Sequence, residues 1–146
     1  MIELKDELLH NNNWKMSFMG KKFDDILKKL LRANLEIKAA AIISAEGLPI
    51  ASALPQSVDE TKFSAMTATL LSLSERAIIE MRTGNFNQLY IKGSEGYLLV
   101  MQAGLNAVLT ISTTNDVRLG LILLDCKKAC ENIAKLFLND DGDKED

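Results

Sequence analysis

The chain is poor in the residues that carry out chemistry. It has one histidine, His10, two cysteines and two prolines, and aromatic residues make up 5% of its 146 positions. A single His beside two Cys leaves nucleophilic triads without their members. Cys126 and Cys130 stand four apart on a predicted helix, which turns two thiols the same way but supplies too few ligands for zinc. Buried, reduced thiols are the expectation. A phosphate loop needs G-x-x-x-x-G-K-S/T so that backbone amides cradle the phosphates, and that run is missing, as are G-x-G-x-x-G, H-E-x-x-H and G-x-S-x-G. Gly93-Ser94-Glu95-Gly96 has the wrong spacing for the last of these and reads as a hairpin turn. Asp24 and Asp25 form a carboxylate pair, but they open a helix, where they complement its dipole. The expectation is a protein with no catalytic residue, no metal site and no cofactor.

Charge of one sign is scarce as well. The net charge is −3, yet residues 139–146 alone hold −4, which leaves the remainder at +1. No basic stripe is available to neutralise phosphates, so nucleic acid is not an expected partner. No run of 18 apolar residues and no signal-peptide pattern occurs, and the chain opens with Glu3, Lys5, Asp6 and Glu7. These features predict a cytoplasmic protein without membrane insertion. With 47% apolar residues, the chain suffices for one domain with a real core.

What is present is organised around one long helix, predicted over Val58 to Thr83. At about 100° per residue, Phe63, Met66, Leu70, Leu73, Ala77 and Met81 fall within about 80°, the stripe expected on the core, with Leu71 and Ile78 on its flank. The opposite face carries Ala65, Ala68, Thr69, Ser72, Arg76 and Ile79, where a solvated helix would carry Lys and Glu. Small residues let another surface approach closely, so this face suits docking. Alanine's high helix propensity is the plainer explanation of the same residues.

Around that helix the chain divides into an N-terminal extension (1–20), a domain (21–138) and an acidic tail (139–146) expected to be solvated and disordered. In the extension, Ile2, Leu4, Leu8 and Leu9 suit either an amphipathic arm or a loose terminus. Phe23, Ile26, Leu27, Leu30 and Leu31 recur at helical spacing. Two apolar runs, Ile37 to Ser44 and Leu48 to Leu54, flank Glu46-Gly47 as a hairpin, the first apolar on both faces and the second sent to a sheet edge by Pro49. After the central helix, closed by Thr83 and Gly84, come strands Phe86 to Lys92, Gly96 to Gln102 and Ala107 to Thr113. The first of these is mixed in character and has no proline to protect an edge, which invites a second copy. A last helix is predicted from an N-cap at Thr114 to Asp116 to about Leu138, with Leu121, Leu124, Cys126, Ala129, Ile133, Leu136 and Phe137 apolar and Gly120 packing closely on the sheet.

This order of elements resembles the Roadblock family of small domains related to dynein light chains, of the prokaryotic, GTPase-regulating kind. The likeness rests on Ala40 to Ser52 around Glu46-Gly47-Leu48-Pro49, on Gly96-Tyr97-Leu98-Leu99-Val100-Met101, and on Leu119-Gly120-Leu121-Ile122-Leu123-Leu124. It implies an α/β sandwich of the α+β type: an antiparallel sheet in the order 2-1-5-4-3, the central helix on one face and both terminal helices on the other. It also implies a homodimer formed through strand 3 and the central helix, and a scaffold or regulator for a small Ras-like GTPase. Carried over by position, the implied GTPase contacts are Ala65, Ala68, Thr69, Ser72, Arg76 and Ile79. The implied dimer contacts are Leu71, Ile78, Phe86, Gln88 and Tyr90. Arg76 and Arg82 invite an arginine-finger reading, but a solvated or ion-paired helix Arg is the simpler one.

Two other functions fit the same composition. A PAS-like or longin-like domain would sense a small molecule, which requires convergent polar groups that these Leu, Val, Ile and Ala strands lack. A structural subunit of a motor or membrane-associated complex would bind no nucleotide-dependent partner.

Overall fold

The computed structural model describes residues 20–145, with side chains over 20–139. The N-terminal pattern of Ile2, Leu4, Leu8 and Leu9, with His10, lies outside the described residues. The elements are α1 (residues 20–33), β1 (Ile37–Ser44), β2 (Pro49–Ala53), α2 (Glu60–Glu80), β3 (Gln88–Gly93), β4 (Gly96–Ala103), β5 (Ala107–Thr113) and α3 (Leu119–Glu145). The five strands hydrogen-bond in the order β2-β1-β5-β4-β3, every neighbouring pair antiparallel. This is the α+β sandwich that the sequence resemblance implies.

Strand alternation sends successive residues of the central strands to opposite layers. On one side Ala40, Ile42, Leu99, Leu109 and Ile111 meet Phe23 and Leu27 of α1 and Ile122, Cys126 and Ile133 of α3. On the other, Ala41, Ile43, Val100 and Val108 meet Phe63 and Leu71 of α2. β1 is therefore covered on both faces, as its unbroken apolar run requires. The β1–β2 turn uses Gly47 at φ 90°. A Cβ added there would stand 3.1 Å from that of Ala68, so the hairpin turn rests on α2. Pro49 starts β2 at the sheet edge, beside a bulge between Ile42 and Ile43.

Capping fixes where the helices stop. Asn34 donates from Nδ2 to the Leu30 carbonyl at 3.1 Å and to Asp125 at 3.0 Å, which ends α1 and ties it to α3. Asp59 is the N-cap of α2, accepting from the Lys62 N–H at 3.1 Å. At the other end the left-handed residue is Arg82, with φ 53°, so the helix stops before the predicted Thr83-Gly84 closure.

Three further expectations are corrected. α3 begins at Leu119, not near Thr114, because the chain first runs from Thr114, bonded to the Glu36 carbonyl, past Val117, which packs on the core. Gly120 does not approach the sheet, since nothing lies within 4 Å of a Cβ added there. The backbone of α3 continues as helix through Asp140 to Glu145, beyond the end expected at Leu138. No proline interrupts that stretch, and its one breaker, Gly142, is three residues from the end.

Candidate functional site

α2 does not bury the stripe that its apolar periodicity suggests. Its buried residues are Phe63, Ser64, Thr67 and Leu71, with Ile78 half-buried against the same cluster. This face lies about 90° further round the helix than the expected one. Met66, Leu73, Ala77 and Met81 are exposed and Leu70 is half-buried. The reversal has a local cause. The Thr67 hydroxyl donates to the Phe63 carbonyl at 2.9 Å and lies 3.4 Å from the Thr110 hydroxyl of β5, so a polar side chain is satisfied inside the core. Ser64 is buried beside it, its Oγ without a hydrogen-bond partner among the described residues.

The exposed apolar flank has a definite direction. Ala68 touches the β1–β2 turn on one side of the helix, so Met66, Leu70, Leu73 and Ala77, on the opposite flank, point toward the β3 side of the sheet. There β3 turns Leu89 and Ile91 to the α2 face, opposite Val100 and Leu98. Ile91 is exposed and Leu89 half-buried. Among the described residues β3 hydrogen-bonds to β4 alone, so its outer edge is open. β3 thus has an open edge, and the α2 flank turned toward that side of the sheet includes Leu73 at 59% exposure.

The residues implied by the resemblance separate into two groups. Ala65, Thr69, Ser72, Arg76 and Ile79 are all exposed and share the outward face of α2, with Ala68 half-buried at its margin against the hairpin turn. The Thr69 hydroxyl is folded back onto the Ala65 carbonyl at 2.9 Å, which leaves Ser72 and Arg76 as the polar side chains these six residues present. The implied dimer contacts fare differently. Leu71, 4% exposed, and Phe86, 9% exposed, belong to the chain's own core, and Ile78 packs against it, so these side chains offer little to a second subunit. Gln88 and Tyr90 are exposed, but they sit on the α3 face of β3, where the Gln88 amide donates to the Tyr90 hydroxyl. The apolar candidates missed by sequence reasoning are Met66, Leu73 and Ala77, assigned to the core, and Leu89 and Ile91. No local signal marks Thr67, because exposed Thr69 makes the same bond back to Ala65; only the Thr110 hydroxyl of β5 sets Thr67 apart.

Little chemistry is assembled elsewhere. No group of three or more His, Cys, Asp or Glu able to hold a metal occurs among the described residues. Burial pushes the Cys126 and Cys130 thiols up to about 12, helped by Asp125 at the first and by Cys126 and Glu131 at the second, so both are neutral. No described helix is long and apolar enough to cross a membrane.

Known proteins share this arrangement. The uncharacterized protein MJ1340 of Methanocaldococcus jannaschii is 37% identical over 101 residues, covering 69% of this chain and 88% of its own. Among solved structures, MglB of Myxococcus xanthus superposes with a TM-score of 0.77 at 23% identity, over 82% of this chain and 90% of that one. An MglB in a tetrameric arrangement superposes with a TM-score of 0.72 at 19% identity, over 81% and 89%. The structural likenesses speak for the fold. Residues 22–113 match the Roadblock/LC7 domain, and with that match the chain belongs to the Roadblock/LC7 domain family.

Proposed function

We propose that this protein is a homodimeric cytoplasmic scaffold that binds and regulates a small Ras-like GTPase, with no active site of its own. The observation that carries the reading is the exposed apolar flank of α2 on the side of the sheet that ends in the open edge of β3. Leaving a Leu or Met exposed instead of buried forfeits roughly 1.5–3 kcal/mol each. A second copy recovers that loss if β3 pairs with its counterpart, extending the sheet, while Met66, Leu70, Leu73 and Ala77 pack across the axis between two α2 helices. The tetrameric arrangement of an MglB supports self-association in proteins of this fold.

Pairing would bring two outward faces side by side. Ala65, Ala68, Thr69, Ser72, Arg76 and Ile79 then form a broad surface, small or apolar apart from Arg76, suited to close approach by a folded partner. The Ras-like GTPase comes from the family resemblance. The scaffold acts by holding the GTPase and positioning the partner's own residues, and Arg76 is an ordinary contact of that surface.

Sedimentation equilibrium at tens of micromolar, with a nucleotide-dependent pull-down of candidate GTPases, tests both halves. The wild-type chain is expected to be a dimer and Leu73→Glu a folded monomer, whereas a monomeric wild type overturns the pairing. Ile79→Asp is expected to remain dimeric and lose GTPase binding, and undiminished capture would remove the assigned face. Capture that ignores the bound nucleotide would instead favour the structural-subunit reading.

A further inference from the structure

A groove of about 600 Å³ runs between α3 and the β3–β4 hairpin, on the face of the sheet opposite α2. Gln88, Met101, Gln102, Leu123, Leu124 and Lys127 contribute to its lining, which extends along α3 from Gly120 to Ala134. Leu124 is 58% exposed. Leu121 is also exposed on the same helix, and Leu105 and Leu138 are exposed toward its far end. α3 therefore turns part of its apolar surface away from the core that its neighbours Ile122 and Cys126 fill.

The chain enters the fold close to this groove. α1 runs antiparallel to α3, because the Phe23 and Phe137 rings lie 5.2 Å apart while Asn34 bonds Asp125 at 3.0 Å. Residue 20, at the start of α1, thus stands near the far end of α3, with residues 1–19 preceding it.

We propose that residues 1–19 of the same chain occupy the groove between α3 and the β3–β4 hairpin. The reach is sufficient. Crossing a helix of ~10 Å takes about four extended residues, and the lining from Gly120 to Ala134 is ~21 Å long, which ~15 residues cover even at the helical rise. The composition suits the site, since nine of the nineteen residues are apolar, among them Leu4, Leu8, Leu9, Trp14 and Phe18. Charge does not oppose the contact. Glu3, Asp6 and Glu7 stand against Lys5 and Lys15 in the segment, and the groove offers Lys127 and Glu131. Pairing through β3 and the apolar flank of α2 uses the other face of the sheet and leaves this groove available to the chain's own terminus.

The only tryptophan of the protein, Trp14, lies in the segment and reports on it directly. In the full-length chain its fluorescence is expected to be blue-shifted and protected from a soluble quencher, and to stay so on dilution through the dissociation of any dimer. Leu124→Glu, at an exposed position, is expected to shift the emission to that of hydrated indole while the far-ultraviolet dichroism is unchanged. Leu48→Glu, equally exposed but on the β1–β2 turn, is expected to leave it unmoved. A hydrated Trp14 in the full-length chain overturns the proposal, as does an emission that ignores Leu124→Glu. Loss of the blue shift on dilution also overturns it, by making a second copy the occupant. If Leu124→Glu perturbs the dichroism, Leu124→Ala provides the same comparison with a smaller change of the surface.

Discussion

The Thr83 N–H donates to the Ile78 carbonyl at 3.0 Å, closing the end of α2 around Arg82, whose own N–H reaches the Ile79 carbonyl at 3.2 Å. The pair of bonds is a Schellman closure, and the residue that must be left-handed in it is an arginine, at φ 53°. Glycine is the usual occupant, since a Cβ in this conformation crowds the following carbonyl.

Arg82→Gly is therefore expected to stabilise the protein by about 0.5–1 kcal/mol, after allowance for glycine's greater freedom in the unfolded chain, and to raise Tm by about 2–4 °C. Arg82→Ala keeps the Cβ and should give almost none of that gain. Thermal denaturation of the two variants side by side distinguishes relief of backbone crowding from loss of the guanidinium.

The hydroxyl pair between α2 and β5 gives a second expectation. Replacing Thr67 by Val leaves the buried Thr110 hydroxyl without its 3.4 Å neighbour, at a cost of about 1–2 kcal/mol. Thr67→Val with Thr110→Val removes both polar groups at nearly constant shape, and the double variant should be more stable than the sum of the two single losses predicts. Urea unfolding of the four members of this cycle measures the coupling, and strict additivity would show that the two hydroxyls do not depend on each other.

The thiols predict a fall of stability in alkali. Cys126 and Cys130 are held neutral to about 12 in the fold, against 9.0 for an ordinary thiol. Between these values the unfolded chain releases protons that the folded chain keeps. Each thiol thus lowers stability as pH rises above 9, by up to about 1.4 kcal/mol per pH unit, and contributes no slope below it. The stability of the wild type should decline more steeply between pH 9 and 11 than that of Cys126→Ala/Cys130→Ala. Equal slopes would place the thiols in contact with water. At neutral pH, labelling with a thiol reagent should wait for unfolding.

The fold was legible in the chain because its strongest signals are local. β1 is apolar from Ala39 to Ile43 and short, bounded by a turn, which suits a strand covered on both faces, Pro49 confines β2 to an edge, and Gly47 supplies the turn between them. The element order and the absence of catalytic motifs were likewise read from residue types and spacing. The outward face of α2, Ala65 through Ile79, needed only helical periodicity and a lack of charge.

What the chain alone did not decide was which apolar residues lie inside. Periodicity ranks Met66 and Leu73 above Thr67 and Ser64 for the core, and the tertiary structure reverses that order because Phe63 and Thr110 satisfy the Thr67 hydroxyl. Leu124 was likewise grouped with Cys126, although only Cys126 meets the sheet. A hydrophobic pattern reports that a residue will leave water, not whether its own domain, its own terminus or a second chain will cover it. Local spacing therefore determined the elements and the edge, while the packing of α2 and α3 on the sheet decided which apolar groups remain to be covered.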